Sequence, residues 1–163
     1  MSKSPAVSRR SLQFATIDDL LAEIERILAA DKDGRLRALG AWTPGQVLGH
    51  VAAWIDYGYE GYPMRPPPWF LRMFLRWQVK KYLRQGMPSG VRIPKVEGGT
   101  YGTAVLSTEA GADRLRRALA RLQTGEPAKY DSPAFGPMSH ADRIQFNLRH
   151  AELHLSFLQH APA

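Results

Sequence analysis

The chain has 163 residues, 44% hydrophobic and 23% charged, proportions that suit one compact soluble domain with a core of its own. It has no cysteine, which excludes a disulfide framework, a thiolate metal site and a cysteine nucleophile, and no apolar run approaches the roughly 20 residues of a membrane span. The net charge of +7 is concentrated in one segment, which argues against a generally basic nucleic-acid binder.

Residues 1–13 read as a flexible tail without the apolar stretch of a signal peptide, so a cytoplasmic protein of bacterial type is expected. The domain proper is expected over 14–163. Its first helix, about Ile17–Ala30, has Thr16 as N-cap, Asp18 and Asp19 at its positive end, and an apolar face of Leu20, Leu21, Ile24, Ile27 and Leu28. Asp33-Gly34 ends it. The second opens at Thr43-Pro44, an N-cap followed by proline at the first helical position, and runs to about Tyr59. Its inner face carries Val47, Val51, Trp54 and Ile55.

Residues 61–102 form a basic, proline-rich insertion. Arg65, Arg72, Arg76, Lys80, Lys81, Arg84, Arg92 and Lys95 fall between Gly61 and Val96 without one acid, against 14 basic and 15 acidic residues elsewhere. Six prolines and Gly98-Gly99 exclude long regular structure, apart from one shorter helix over about Trp69–Arg84. That helix mixes basic and aromatic residues. It reads as a lid or dimer-contact helix with solvated arginines, or as a basic amphipathic helix for an anionic ligand or a membrane surface; nucleic acid is the least favoured partner. The third main helix follows Ser107 over about Thr108–Gln123, with Leu115, Ala118, Leu119 and Leu122 inward, and Gly125-Glu126-Pro127 ends it. No segment alternates cleanly enough to read as a strand. The expected class is all-α: a four-helix bundle with a long crossover insertion between helices two and three.

The last helix, read from Ser139 to about Gln159, carries the most informative pattern. At ~100° per residue, Gln145, Arg149, Glu152, Ser156 and Gln159 form one narrow polar stripe, on which Glu152 is expected to be solvated. His150 and His154 fall near the middle of the opposite, apolar arc. Buried imidazoles need partners for both ring nitrogens, and a shared metal ion supplies one. His50 provides the third ligand: it shares the inner face of helix two with Val47, Trp54 and Tyr57. Three neutral imidazoles with an open fourth position describe a catalytic rather than a structural site. Asn147, one turn before His150, is either an outer partner of the site or an ordinary buried hydrogen-bond former. Tyr57 is either packing or a proton donor. His140 reads as a surface residue of the first turn, and His160 as a residue at the negative end of a fraying helix.

At these residues the chain resembles the DinB/YfiT-like superfamily of small bacterial bundles, and within it a subgroup of unknown function. The resemblance rests on GQVLGH in helix two, then FGPMS and RHAELHLSF about a hundred residues later. It implies a DinB-like four-helix bundle, a divalent metal (zinc or nickel first) on His50, His150 and His154, and a homodimer. It also implies a low-molecular-weight thiol or an anionic small molecule as partner, in thiol-dependent transfer or in hydrolysis. Leu155 and Ser156 follow the histidine pair, where members often place a further histidine or glutamine. The competing expectation is a non-catalytic module that dimerises or docks on membranes through Trp69–Arg84, its histidines structural or vestigial.

Overall fold

Capping sets where the four main helices begin in the computed structural model, which describes residues 8–160. Thr16 Oγ1 accepts the Asp19 amide and the Asp19 carboxylate accepts the Thr16 amide, a reciprocal box that opens α1 (Ile17–Lys32). Thr43 and Gln46 repeat the arrangement at the start of α2 (Pro44–Glu60). The insertion carries α3 (Trp69–Gln85) and a short 3-10 turn at Glu97–Gly99. Ser107 caps α4 (Thr108–Gln123) and Ser139 caps α5 (His140–Leu155). All five predicted helices are therefore present, and the molecule is mostly helical, so the all-α expectation broadly holds.

Two departures concern the C-terminal end. The last helix stops at Leu155 rather than near Gln159, and residues 158–160 form β2, paired antiparallel with β1 (Leu36–Ala38), Leu36 opposite His160. No strand was expected, because three residues are too few to show an alternating pattern. The pairing takes Leu158 out of solvent entirely. His160, expected at a fraying helix end, instead sits in this sheet, its Nε2 2.7 Å from Arg10 Nη1 and 3.2 Å from Glu23 Oε1.

The core gathers Leu20, Ile24 and Ile27 of α1, Leu48 and Val51 of α2, Leu115, Leu119 and Leu122 of α4, and Leu148 and Leu155 of α5. Helix α2 packs on α4 and α5, α1 packs on the same two, and α3 lies along α5. The α2–α4 crossing depends on missing side chains: a Cβ on Gly111 would lie 2.6 Å from the Gly45 carbonyl oxygen, and one on Gly45 would lie 2.0 Å from that of Leu106. This close approach turns the following part of α2, with His50, into the interior.

The middle of the stripe on α5 is not solvated, although Gln145 is exposed as expected. Arg149 and Glu152 are both buried, 2.6 Å apart, beneath residues 10–14. The Phe14 amide donates to Glu152 Oε1 at 2.5 Å, and Arg149 Nη2 donates to the Phe14 carbonyl at 3.0 Å. Arg10 continues the strap: its amide donates to the Ser156 carbonyl, and its guanidinium bonds Glu23 Oε1 and the Leu155 carbonyl. Residues 1–7 of the expected tail lie outside the described residues. A helical wheel shows a polar face but not the extended chain that covers it, which is why Glu152 reads as surface from sequence alone.

This arrangement makes Glu152→Ala expensive. The substitution strands a buried guanidinium and leaves the Phe14 amide without an acceptor, so a loss of about 3–5 kcal/mol is expected, against roughly 0.5 for a solvated glutamate. Urea unfolding of both proteins measures it, as a lower midpoint at unchanged slope.

Candidate metal centre

Helix α2 delivers one imidazole and α5 two. His50 is 1% exposed; His150 and His154, four residues apart, project towards it from α5. Ring centroids are 5.1 Å apart for His50–His150, 4.3 Å for His50–His154 and 4.6 Å for His150–His154. One ring nitrogen from each lies within 4.8 Å of the other two, a group that could hold a metal ion. The structure thus brings together the three histidines expected from sequence.

The environment sets the protonation. Burial pushes the His50 imidazolium down to about 4, outweighing the Tyr101 carbonyl that favours its protonated form. Burial likewise brings His154 to about 3, with the charge of His50 adding to it. His150 is held well below the ordinary histidine value, first by burial and then by its two neighbours. All three rings are therefore neutral at pH 7, and each offers a lone pair.

Hydrogen bonding decides which lone pair His50 offers. Its Nδ1 lies 2.9 Å from the Tyr101 carbonyl oxygen, which can only accept, so Nδ1 carries the proton and Nε2 is free to ligate. The Tyr101 loop is tied to α2 a second time by Gln46, whose Nε2 donates to the Thr103 carbonyl. On α5, Nδ1 of His150 is buried with no hydrogen-bond partner. Among the described residues no hydrogen bond joins one imidazole to another. A buried ring nitrogen without a partner, beside two more neutral imidazoles and with no carboxylate in the group, fits the donor set of a divalent transition metal.

Tryptophans wall the site. Trp42 stacks on His154, centroids 5.7 Å apart and planes at 10°, and lies 4.9 Å from His50. Trp54 meets His50 and His150 edge-on at 6.0 and 5.8 Å, and its indole Nε1 is buried without a partner. Trp42 was not among the expected site residues. It immediately precedes the Thr43 cap, a position whose usual explanation is packing against the first turn of the helix. Only its stacking on a residue of another helix reveals the second role.

Of the two further candidates, Tyr57 lies beside the loop that orients His50. Its ring packs on Trp54 and Tyr62, and burial raises its hydroxyl above the ordinary tyrosine value, so the phenol keeps its proton. Asn147 uses its side-chain amide on the Arg143 carbonyl one turn back at 2.9 Å, and among the described residues it makes no bond to an imidazole. His140 is an exposed residue of the first turn, as expected, bonded to the Leu122 carbonyl. The insertion reaches the site through Tyr62 at its start and Tyr101-Gly102 at its end rather than through its basic residues.

Gly102 lets the loop lie this close. Its φ is +75°, and a Cβ there would stand 2.7 Å from Ala53 Cβ, 3.2 Å from Tyr57 Oη and 3.8 Å from His50 Nδ1. Gly102→Ala is expected to push the Tyr101 carbonyl off His50 and weaken metal binding about 10–100-fold, the usual cost of losing an orienting partner. Gly34→Ala is the control: its φ is +67°, with nothing within 4 Å of the added carbon, so it shares the backbone strain and not the displacement. Zinc titration of both variants separates the two costs.

One protein family matches the chain, over residues 6–161, and its description reads protein of unknown function (DUF1569). No curated protein and no solved structure matches it.

Proposed function

The chain belongs to that family of unknown function, DUF1569, so its own residues have to carry the functional reading, and we propose that it is a divalent-metal-dependent enzyme built on His50, His150 and His154. The observation that carries this is the neutral three-imidazole group with one buried ring nitrogen left unpartnered. Three protein donors leave at least one position open, the arrangement of catalytic rather than structural sites. Zinc or nickel is the proposed ion. Imidazole suits both, and the motif resemblance points the same way. The same resemblance, with the common core of α1, α2, α4 and α5, supports placing the fold as a DinB-like four-helix bundle with α3 in its long crossover.

When bound, such an ion supplies Lewis-acid chemistry, lowering the pKa of a water or keeping a thiol cosubstrate in its nucleophilic form. The chain's own residues do the rest. The Tyr101 carbonyl fixes the tautomer of His50, Trp42 and Trp54 pack on the imidazoles, and the Tyr57 hydroxyl retains a proton it can donate. Thiol-dependent transfer and hydrolysis both use this set. Transfer with a low-molecular-weight thiol or an anionic small molecule is the reading the resemblance favours.

Metal analysis of protein purified without a histidine tag tests the proposal: close to one equivalent of zinc or nickel is expected. Less than about 0.2 equivalents after reconstitution, unchanged by His150→Ala, would overturn it. Cobalt-substituted protein then separates the reactions. N-acetylcysteine should add a near-ultraviolet sulfur-to-cobalt band if thiols enter the open position. An unchanged spectrum, with hydrolysis of p-nitrophenyl acetate, assigns hydrolysis instead.

A further inference from the structure

Helix α3 leaves a large apolar surface uncovered. Trp69 and Trp77 are about three-quarters exposed, at 74% and 75%, Met73 is 63% exposed, and Phe70 and Phe74 are also in solvent. Single exposed hydrophobics need no explanation, but five on one helix do. At ~100° per residue, Trp69, Met73, Trp77, Phe70 and Phe74 lie within an arc of roughly 140°. Lys80, Arg84 and Lys81 continue that arc towards the C-terminus, all exposed. The opposite side of the helix faces protein. Leu83 is buried, the Leu83 carbonyl accepts from Gln145 of α5, and Tyr82 packs on Phe135. The exposed face is thus divided along its length, aromatic over residues 69–77 and basic over 80–84.

We propose that this face of α3 docks on an anionic membrane surface. Aromatic side chains suit the boundary between headgroups and acyl chains, and the lysines and arginine beyond them suit the phosphate layer. The whole segment from 61 to 96 contributes eight positive charges and no negative one, so the attraction extends beyond the helix itself. Helix α3 lies on such a surface rather than crossing it, because no helix among the described residues is long and apolar enough to span a membrane.

Charge separates this occupant from the alternatives. A second copy packed α3 against α3 would bury Lys80, Lys81 and Arg84 against a face that offers no carboxylate, an uncompensated desolvation. A nucleic-acid duplex would meet the basic residues but leave Met73, Phe70 and Phe74 against phosphate. Docking is independent of the metal site, since none of these side chains belongs to it.

Flotation of the full chain with vesicles of equal parts phosphatidylcholine and phosphatidylglycerol is the test. Binding is expected at low salt, at least about tenfold weaker on phosphatidylcholine alone and weakened again by high salt. The Trp69→Ser/Trp77→Ser variant should lose at least about tenfold in affinity, and Lys80→Glu/Lys81→Glu should lose both affinity and salt dependence. His150→Ala should float like the wild type, which distinguishes failure here from failure of the metal reading. Because the chain has no cysteine, an environment-sensitive dye on Met73→Cys reports the contact directly, with Glu109→Cys on α4 as the control. Absence of flotation at low salt, or flotation unaffected by the tryptophan pair, would overturn the proposal. So would light scattering that shows a dimer dissolved by Trp69→Ser/Trp77→Ser, or binding to duplex DNA without binding to vesicles.

Discussion

Replacing His50 with alanine is expected to weaken zinc or nickel binding at least about a hundredfold, because it removes one of three ligands, more than the 10–100-fold typical of an outer partner. The cleanest readout is the stabilisation that metal confers. An ion present at a hundred times its dissociation constant stabilises the folded state by about 2.7 kcal/mol. For a chain of this size that corresponds to a rise of roughly 5–10 °C in Tm. The wild type should show this rise and His50→Ala should not. His50 is buried, so the variant also loses packing and leaves the Tyr101 carbonyl without its donor. That cost lowers the starting Tm but not the increment, and the increment is the quantity compared. His154→Ala should behave alike from the other helix. His140→Ala, on the exposed first turn of α5, should keep the full rise. An equal metal-induced rise in His50→Ala and the wild type would remove residue 50 from the site, and with it the open three-donor geometry.

The three histidines were legible because each lies on a helix whose period exposes its inner face. His150 and His154 repeat at one turn within an apolar arc, and His50 shares a face with Val47 and Trp54. The caps were legible for a similar reason: Thr16, Thr43, Ser107 and Ser139 make contacts three residues ahead, within reach of local pattern. Long-range partners left no such trace. Nothing local to Tyr101-Gly102 shows that its carbonyl will meet a ring 51 residues earlier. Trp42 carries the ordinary signature of a residue before an N-cap, and its stacking on His154 belongs to tertiary structure. The polar stripe of α5 misled for a physical reason. Arg149 and Glu152 bond to each other and to the Phe14 backbone, so a pattern that normally marks solvent here marks a buried strap.

Acid should destabilise the metal-free protein in the range where an unfolded imidazole takes up its proton. In an unfolded chain the imidazoles titrate near 6.5, whereas burial holds His50 at about 4 and His154 at about 3 in the folded state, with His150 also well depressed. Between these values the unfolded chain binds more protons, so stability is fully present above pH 6.5 and declines as pH falls towards the folded values. The depression at His50 alone is worth about 3 kcal/mol by pH 4. The three contributions do not add, since a first proton in the cluster opposes the next. Glu23 acts lower. For Glu23, burial favours the neutral acid, but bonds from Arg10, His160 and Arg26 outweigh it and hold the group below its ordinary value, so its contribution is lost only in stronger acid. The urea midpoint of metal-free protein should therefore drop between pH 7 and 5, and His154→Ala should flatten that drop. A midpoint constant over this range would mean that the rings are open to water. The same depression sets the proton balance of metal binding. Rings that stay neutral down to pH 6 release almost no protons to an incoming ion, so at pH 6, below the range in which a metal-bound water would ionise, the calorimetric enthalpy of zinc binding should be nearly the same in buffers of different ionisation enthalpy. Solvent-exposed histidines of ordinary pKa would instead show a buffer-dependent difference that grows as pH is lowered towards 6.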